Sequence, residues 1–139
     1  MSQENVEVVR SGYSLLAGVS NQWGPITEFY ADYCHPDVEL VPPVSYPDTE
    51  PSYTGLDGFQ SWRRQLDEMW DDWHFEPERF FDAGDRVVVF VRVSGTGKQS
   101  RAAVTVPTAH VFTLRDGLVA RAEIFLDRPE ALKAVGLAK

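Results

Sequence analysis

The chain has 139 residues, a length that suits one domain, and 43% of them are hydrophobic, which is enough to bury a core. Its formal net charge of -8 at pH 7 argues against a nucleic-acid partner, because phosphate neutralisation needs a clustered basic surface. No apolar run approaches the roughly 18 residues of a membrane helix, and the lone Cys34 cannot form an internal disulfide. We therefore expect one cytoplasmic domain over residues 1–139 that binds neither nucleic acid nor membrane.

Two helices are predicted before residue 37. The first covers residues 2–18, and its apolar stripe includes Tyr13, whose hydroxyl should point toward the interior. A core tyrosine satisfied by a local hydrogen bond is the simpler interpretation of that residue. The second helix starts at Pro25 and ends before Pro36, since the residue preceding a proline is pushed out of the helical region.

A proline-rich segment follows at residues 42–53. It holds prolines at positions 42, 43, 47 and 51, which exclude a central strand, and its apolar residues, including Tyr53, argue against a disordered linker. This composition is consistent with an ordered flap over the mouth of a pocket, and equally with a loop that has only a structural role and packs against the rest of the fold.

A third helix is predicted to begin at Thr54, which together with Asp57 resembles a capping box. Its bulky aromatic face, including Trp62 and Trp70, is typical of a helix that lies over a sheet. Such a stripe is more often core than ligand pocket, although the same residues would also form pocket walls.

The second half of the chain predicts strands. They cover residues 73–81, 86–94, 102–114 and 118–126, after a short strand at 38–41. Helices followed by strands indicate an α+β fold with an antiparallel sheet, in which Pro107 marks a bulge or an edge position. The strand at 86–94 is apolar on both faces, and the helices cover only one of them. We expect a second copy to cover the other, giving a homodimer through the outer sheet face, and we assign the face of Val87, Val89, Val91 and Val93 to that partner.

The pair Asp116-Gly117 predicts a two-residue type I′ turn. Counting back from that turn places His110 opposite Glu123, on one face with Phe112. A carboxylate beside an imidazole raises its pKa and fixes its tautomer, as in an acid/base pair. A three-residue loop would instead place His110 opposite Ala122, and a structural His–Glu pair is a further alternative.

Other polar residues have weaker signals. Arg92 is a single charge in an apolar strand. On the closed face it would bind an anionic substrate or pair with Glu123. The alternative is that it faces outward. Asp127 is explained by a cap on a short C-terminal helix, with a third acid as the alternative. The three histidines lack metal-ligand spacing, and no cofactor-binding motif is present.

Several sequence segments resemble the SnoaL-like branch of the nuclear transport factor 2-like superfamily. They are SQENVEVVRSGY, HPDVEL, YTGLDGFQSW, DAGDRVVVFVRVSGTG and AHVFTLRDGLVARAEIFLDRPEAL. The resemblance implies a cone, in which a curved antiparallel sheet wraps around three N-terminal helices and encloses a pocket, usually in a dimer. The superfamily mixes enzymes with non-catalytic binding modules.

The resemblance carries over only some functional residues. Tyr13 matches the first-helix tyrosine of ketosteroid isomerases, whose aspartic acid corresponds to His110, but their general base would fall near Pro42-Pro43 and is missing. Glu123 stands where limonene-epoxide hydrolases place an aspartate, without an evident second acid. For polyketide cyclases, the nearest equivalent is His110 with Glu123 or Asp127.

Our leading hypothesis is cofactor-free acid/base chemistry on a small apolar substrate that bears a carbonyl or a ring. His110 would be the general acid/base, Glu123 its orienting partner, and Tyr13 a donor to oxyanion charge. The predicted substrate-binding residues are Trp62, Trp70, Phe112, Arg92, Tyr53 and Asp127. The alternatives are a non-catalytic small-molecule-binding module and an accessory dimerisation protein whose pocket is a filled core.

Overall fold

The computed structural model describes residues 2–16, 24–43 and 51–137. Its helices are α1 (Ser2–Leu16), α2 (Gly24–Tyr33), α3 (Gly55–Met69) and α4 (Arg128–Ala134). Its strands are β1 (Cys34–Val41), β2 (Tyr53–Thr54), β3 (Trp70–Ala83), β4 (Arg86–Gly97), β5 (Ala103–Arg115) and β6 (Leu118–Phe125). The predicted α+β class is confirmed. The predicted end of the first helix and most of the proposed flap lie outside the described residues.

The strands form one sheet in the order β2-β1-β6-β5-β4-β3. Every pairing is antiparallel except that of β1 with β6, which is parallel, so the expectation of a wholly antiparallel sheet is wrong at this position. Hairpin turns force antiparallel pairing only between neighbours in the sequence, whereas β1 and β6 are joined by a long crossover. This parallel pair places Leu40 beside Ala122 on the side of the helices.

The sheet curls around the helices as a half-barrel. Register shifts interrupt β3 between Asp71 and His74 and between Pro77 and Arg79, and such bulges bend a strand and increase its twist. Pro107 pairs with β4 alone, because β6 joins β5 only from Ala109 onward, and the predicted edge position is therefore confirmed.

The inner face of the sheet packs under the helices. Val87, Val89 and Val91 are fully buried in the same cluster as Tyr13, and Val93 packs against it. The assignment of this valine face to a partner is therefore wrong. The sequence offered no means of choosing, because both faces of β4 are apolar.

The opposite face has its own apolar cluster, and α4 covers part of it. Val88 and Val111 are buried there against Ala131 and Val135 of the C-terminal region. The expectation that the helices cover only one face is wrong, because α4, a helix of seven residues, packs on the other.

Asp127 and Arg128 fix α4. The carboxylate of Asp127 accepts a hydrogen bond from the backbone N–H of Glu130 at 3.2 Å, which is the predicted N-cap. Arg128 donates to the carbonyl of Thr108 at 3.0 Å, and its guanidinium lies 4.7 Å from the ring centre of Phe90. Together they hold the helix against the outer face of β4 and β5.

Thr54 occupies the N-cap position of α3, as predicted, but its side chain makes no capping hydrogen bond. The capping-box interpretation of Thr54 and Asp57 is therefore wrong in its hydrogen bond, although the helix begins at the expected place. The helix buries Phe59, Trp62 and Arg63, and so lays an aromatic face over the sheet as the sequence predicts.

Candidate functional site

A cavity of about 120 Å³ lies between the helices and the inner face of the sheet. Its walls are aromatic and aliphatic almost throughout. The lining residues are Val9, Gly12, Tyr13, Phe29, Leu40, Phe59, Trp62, Phe75, His110, Phe112, Val119, Ala122, Glu123 and Ile124. The cavity is smaller than the several hundred Å³ typical of a drug-sized ligand pocket, so it suits a molecule of about one ring.

Two polar side chains meet on this wall. The hydroxyl of Tyr13 on α1 is hydrogen-bonded to Nδ1 of His110 on β5, and the two rings lie nearly parallel, with centroids 6.0 Å apart. Tyr13 is only 4% exposed, and His110 is partly buried. The predicted inward orientation of Tyr13 is confirmed, and its partner is the histidine singled out in the sequence.

Aromatic rings hold the pair in place. The Tyr13 ring makes edge contacts with Phe75 at 5.8 Å, Phe80 at 6.0 Å and Phe112 at 5.7 Å between centroids. Edge-to-face packing of this kind is favourable and orients each ring. The hydroxyl and the imidazole are therefore fixed by packing on several sides as well as by their own hydrogen bond.

Burial controls the protonation of both groups. Desolvation lowers the pKa of His110 from an ordinary value of 6.5 to about 4, so the imidazole is neutral near pH 7. The same effect raises the pKa of the Tyr13 hydroxyl well above its ordinary value. The sequence-based expectation that a carboxylate raises the pKa of His110 is therefore wrong, since burial dominates.

Glu123 does not pair with His110. In the β5–β6 register His110 lies opposite Ile124, whereas Glu123 lies opposite Val111, whose side chain belongs to the outer cluster. Glu123 borders the cavity, but its carboxylate lies 3.7 Å from the guanidinium of Arg121. Its predicted place on the face of His110 is wrong, as is the alternative that placed His110 opposite Ala122.

The turn itself has the predicted form. Asp116 and Gly117 both have positive φ, 56° and 77°, as a type I′ turn requires, and Arg115 pairs with Leu118. The register then shifts between residues 113 and 114, which leaves Ala120 as an extra residue in β6. Because side chains alternate along a strand, this one-residue bulge moves Glu123 to the opposite face.

The predicted wall residues divide into two groups. Trp62 and Phe112 line the cavity and are nearly buried, as expected. Tyr53 is buried against Trp62 with 5.8 Å between ring centroids, and its hydroxyl donates to Gln65 at 2.8 Å, so it supports the wall from behind. Trp70 opens β3 beside Gly97 and does not border the cavity.

Arg92 and Asp127 lie away from the cavity. Arg92 is exposed and forms an ion pair with Glu78 on the outer side of the sheet, so the outward alternative is the correct one. Asp127 is occupied by its capping hydrogen bond. Neither position is compatible with contact to a molecule inside the cavity.

Gly12 and Phe29 also line the cavity, although the sequence did not predict them as wall residues. Gly12 lines it from α1 and Phe29 from α2. The available signal was a glycine in a helix interior next to the inward-facing Tyr13. Glycine is unfavourable at such a position, so its presence indicates a close approach of another group.

Within the described ranges, no three His, Cys, Asp or Glu side chains converge in a way that could hold a metal ion. In the same ranges, no helix is long and apolar enough to cross a membrane.

Comparison with known proteins identifies the family. The SnoaL-like domain matches residues 27–122, which include α3, most of α2 and of the sheet, and His110. The chain belongs to the SnoaL-like family. A search of the curated proteins gave no significant match.

Solved structures share the fold of this SnoaL-like chain. TerC, co-crystallised with polyporic acid, is 24% identical with a TM-score of 0.73, covering 95% of this chain and 98% of TerC. An NTF2-like protein of unknown function from Burkholderia pseudomallei K96243 is 20% identical with a TM-score of 0.74, covering 96% and 98%. A protein with a ketosteroid isomerase-like fold from Catenulispora acidiphila DSM 44928, in complex with trimethylamine, is 19% identical with a TM-score of 0.68, covering 94% and 93%. At these identities the likeness establishes an NTF2-like fold.

Proposed function

We propose that this SnoaL-like protein catalyses cofactor-free proton transfer next to a carbonyl group in a small, uncharged substrate. The observation that carries the proposal is the hydrogen-bonded pair of Tyr13 and His110 in an otherwise apolar wall. Buried polar side chains that do not hydrogen-bond to the backbone are candidate catalytic groups, particularly where their pKa values are shifted.

The pair offers a base and a donor in one tautomer. In the tautomer with the proton on Nδ1, the Nδ1–H of His110 donates a hydrogen bond to the Tyr13 oxygen. Nε2 then keeps its lone pair, and the Tyr13 O–H is available to a ligand. Nε2 then takes the proton from the carbon next to the carbonyl, and the electron pair of that C–H bond moves onto the carbonyl oxygen. The Tyr13 hydroxyl stabilises the resulting enolate by a hydrogen bond.

The lowered pKa of His110 suits a reversible transfer. An imidazole with a pKa of about 4 is a weak base, and the imidazolium it forms is a strong acid. The proton is therefore returned at once to the enolate, on the same carbon or on a conjugated one, and the net result is exchange or isomerisation.

The cavity also defines the substrate. An apolar wall cannot compensate a charged group for its lost hydration, so a neutral molecule is favoured. A volume of about 120 Å³ accommodates approximately one six-membered ring. A small cyclic ketone meets both conditions.

Hydrogen exchange tests the proposal. Cyclohexanone would be incubated in D2O with the protein, and loss of its α-hydrogens followed by proton NMR. We expect wild type to accelerate exchange, His110→Gln to abolish the acceleration, and Tyr13→Phe to reduce it about 10²-fold or more, the size of a lost oxyanion donor. Equal rates for wild type and His110→Gln would exclude the assigned role of His110.

A non-catalytic binding module is the second candidate. Among the described residues that line the cavity, Glu123 is the only carboxylate, and it does not reach His110, which leaves the imidazole without an acidic partner. The structures of TerC with polyporic acid and of the Catenulispora protein with trimethylamine show that relatives bind small molecules. Binding of cyclohexanone, seen as chemical-shift changes at Tyr13 and His110, without any accelerated exchange would favour this candidate.

We further propose that two copies associate through the outer sheet face. The partly exposed rings of Phe81, Phe90 and Phe125 surround the area that α4 covers, and an apolar rim of this kind supports association. Sedimentation velocity at several concentrations distinguishes a dimer from a 15.7 kDa monomer. A monomer at every concentration would contradict this arrangement.

A further inference from the structure

The contact between Gly12 and Phe29 decides how large a molecule the cavity accepts. Both residues line the cavity, Gly12 from α1 and Phe29 from α2. A Cβ atom placed on Gly12 would lie 2.5 Å from Cε1 and 3.0 Å from Cδ1 of the Phe29 ring, closer than real side chains approach. Only a glycine lets the ring lie this close to the backbone of α1.

The Phe29 ring cannot retreat from α1 without loss. It stacks on Phe59, with centroids 6.1 Å apart, and it contacts Tyr33 at 5.9 Å on its own helix. It is only 7% exposed, so the space behind it is filled. A side chain at position 12 would therefore displace the ring toward the cavity, or force α1 and α2 apart.

Glycine at this position is unfavourable for the helix itself. Inside an α-helix it is destabilising relative to alanine, because it loses more conformational freedom on folding. Local helix stability therefore gives no reason for Gly12, whereas the close approach of Phe29 does.

We infer that Gly12 and Phe29 together form the size-determining wall of the ligand cavity, and that they limit its occupant to about one six-membered ring. The inference rests on the proposal that the cavity is a ligand site, but it is independent of the acid/base roles of Tyr13 and His110. Gly12 acts through the position of the Phe29 ring, and Phe29 through direct contact with the ligand.

Apolar probes test this without any catalysis. Closed apolar cavities bind xenon and benzene, the latter in about 150 Å³, so the ratio of benzene to xenon affinity reports the usable volume. Both affinities would be measured by NMR titration for wild type, Gly12→Ala and Phe29→Leu. Ser11→Ala is the matched control, since Ser11 is the exposed neighbour on the same helix.

We expect Gly12→Ala to lower the benzene-to-xenon ratio about tenfold or more, and Phe29→Leu to raise it. The double variant Gly12→Ala/Phe29→Leu should return toward the wild-type ratio, and Ser11→Ala should equal wild type. An unchanged ratio in Gly12→Ala, or no recovery in the double variant, would overturn the inference.

If Gly12→Ala does not fold, Phe29→Leu alone decides, because a ratio equal to that of wild type contradicts a size-determining Phe29. Binding of neither probe to wild type or Phe29→Leu would remove the ligand cavity, and with it both this inference and the proposed function. Probe binding with an unchanged ratio would remove only the inference.

Discussion

The hydroxyl of Tyr13 and Nδ1 of His110 form a hydrogen bond that joins α1 to β5 across the wall of the cavity. It connects residues 97 positions apart in the chain, so the pair exists only in the folded protein. This hydrogen bond connects α1 to the sheet, and it also lies at the proposed chemical centre. Its two aspects give separate predictions for stability and for protonation.

Tyr13→Phe should destabilise the fold. The substitution leaves Nδ1 of His110 partly buried without its partner, which costs about 1–3 kcal/mol of the free energy of unfolding. Tyr30→Phe is a matched control, because it removes only an exposed hydrogen bond to the carbonyl of Pro36 at 2.8 Å. Urea denaturation at pH 7 measures both, and equal losses in the two variants would argue against a special role for the buried bond.

Stability should fall on acidification through His110. Its folded-state pKa of about 4 lies below the unfolded value of 6.5, so the unfolded chain takes up the proton first. The stability that the neutral imidazole contributes is fully present above pH 6.5 and is lost progressively as the pH falls through 4. The total loss in the free energy of unfolding is about 3 kcal/mol.

Urea denaturation at pH 7 and pH 4.5 measures this loss. His110→Gln should lose less stability between the two pH values than wild type, because glutamine does not titrate. All other ionisable side chains, Glu123 among them, are the same in both proteins, so the difference between the two isolates the contribution of His110. Identical pH dependence in both proteins would contradict the lowered pKa.

Glu123→Gln should leave the titration of His110 unchanged. The Glu123 carboxylate interacts with Arg121 rather than with the imidazole, and the pair is partly exposed, so the stability effect should stay below about 1 kcal/mol. NMR titration of the His110 ring in the variant is the measurement. A displaced pKa of His110 would mean that the two side chains meet after all.

Arg128→Ala should loosen α4 from the sheet. The guanidinium donates to the Thr108 carbonyl, stacks on Phe90 and pairs with Glu78, and the loss of these contacts should lower the free energy of unfolding by about 1–2 kcal/mol. Arg92→Ala is the matched control, because Arg92 pairs with the same Glu78 carboxylate but touches neither the Thr108 carbonyl nor α4. Hydrogen exchange of the α4 amides should accelerate in Arg128→Ala alone, and equal protection in the two variants would contradict the anchoring role of Arg128.

Much of this fold was predictable from sequence. Alternating apolar residues placed the long strands within a few residues, and Asp116-Gly117 correctly predicted its type I′ turn. The inward-facing Tyr13 followed from helical periodicity. These features depend on local patterns, which a single sequence records directly.

The candidate site depended on information that is not local. One extra residue, Ala120, reversed the face of Glu123, and no turn or glycine signal marks that bulge. The partner of Tyr13 lies on a strand far along the chain, and its identity follows only from the packing of α1 on the inner face of the sheet. The sequence also could not predict which face of β4 packs under the N-terminal helices, because Val87, Val89 and Val91 on one face and Val88 on the other are equally apolar.

The central claim is that His110 is a neutral, Tyr13-bonded imidazole inside an apolar cavity. The nitrogen-15 NMR spectrum of the His110 ring, followed between pH 3.5 and 8 in wild type and Tyr13→Phe, tests it most directly. We predict a single titration near pH 4 in wild type, a Nδ1-protonated neutral ring at pH 7, and ring nitrogen shifts that change on removal of the Tyr13 hydroxyl. Titration at the ordinary value of 6.5, with nitrogen shifts that Tyr13→Phe leaves unaltered, would contradict the account.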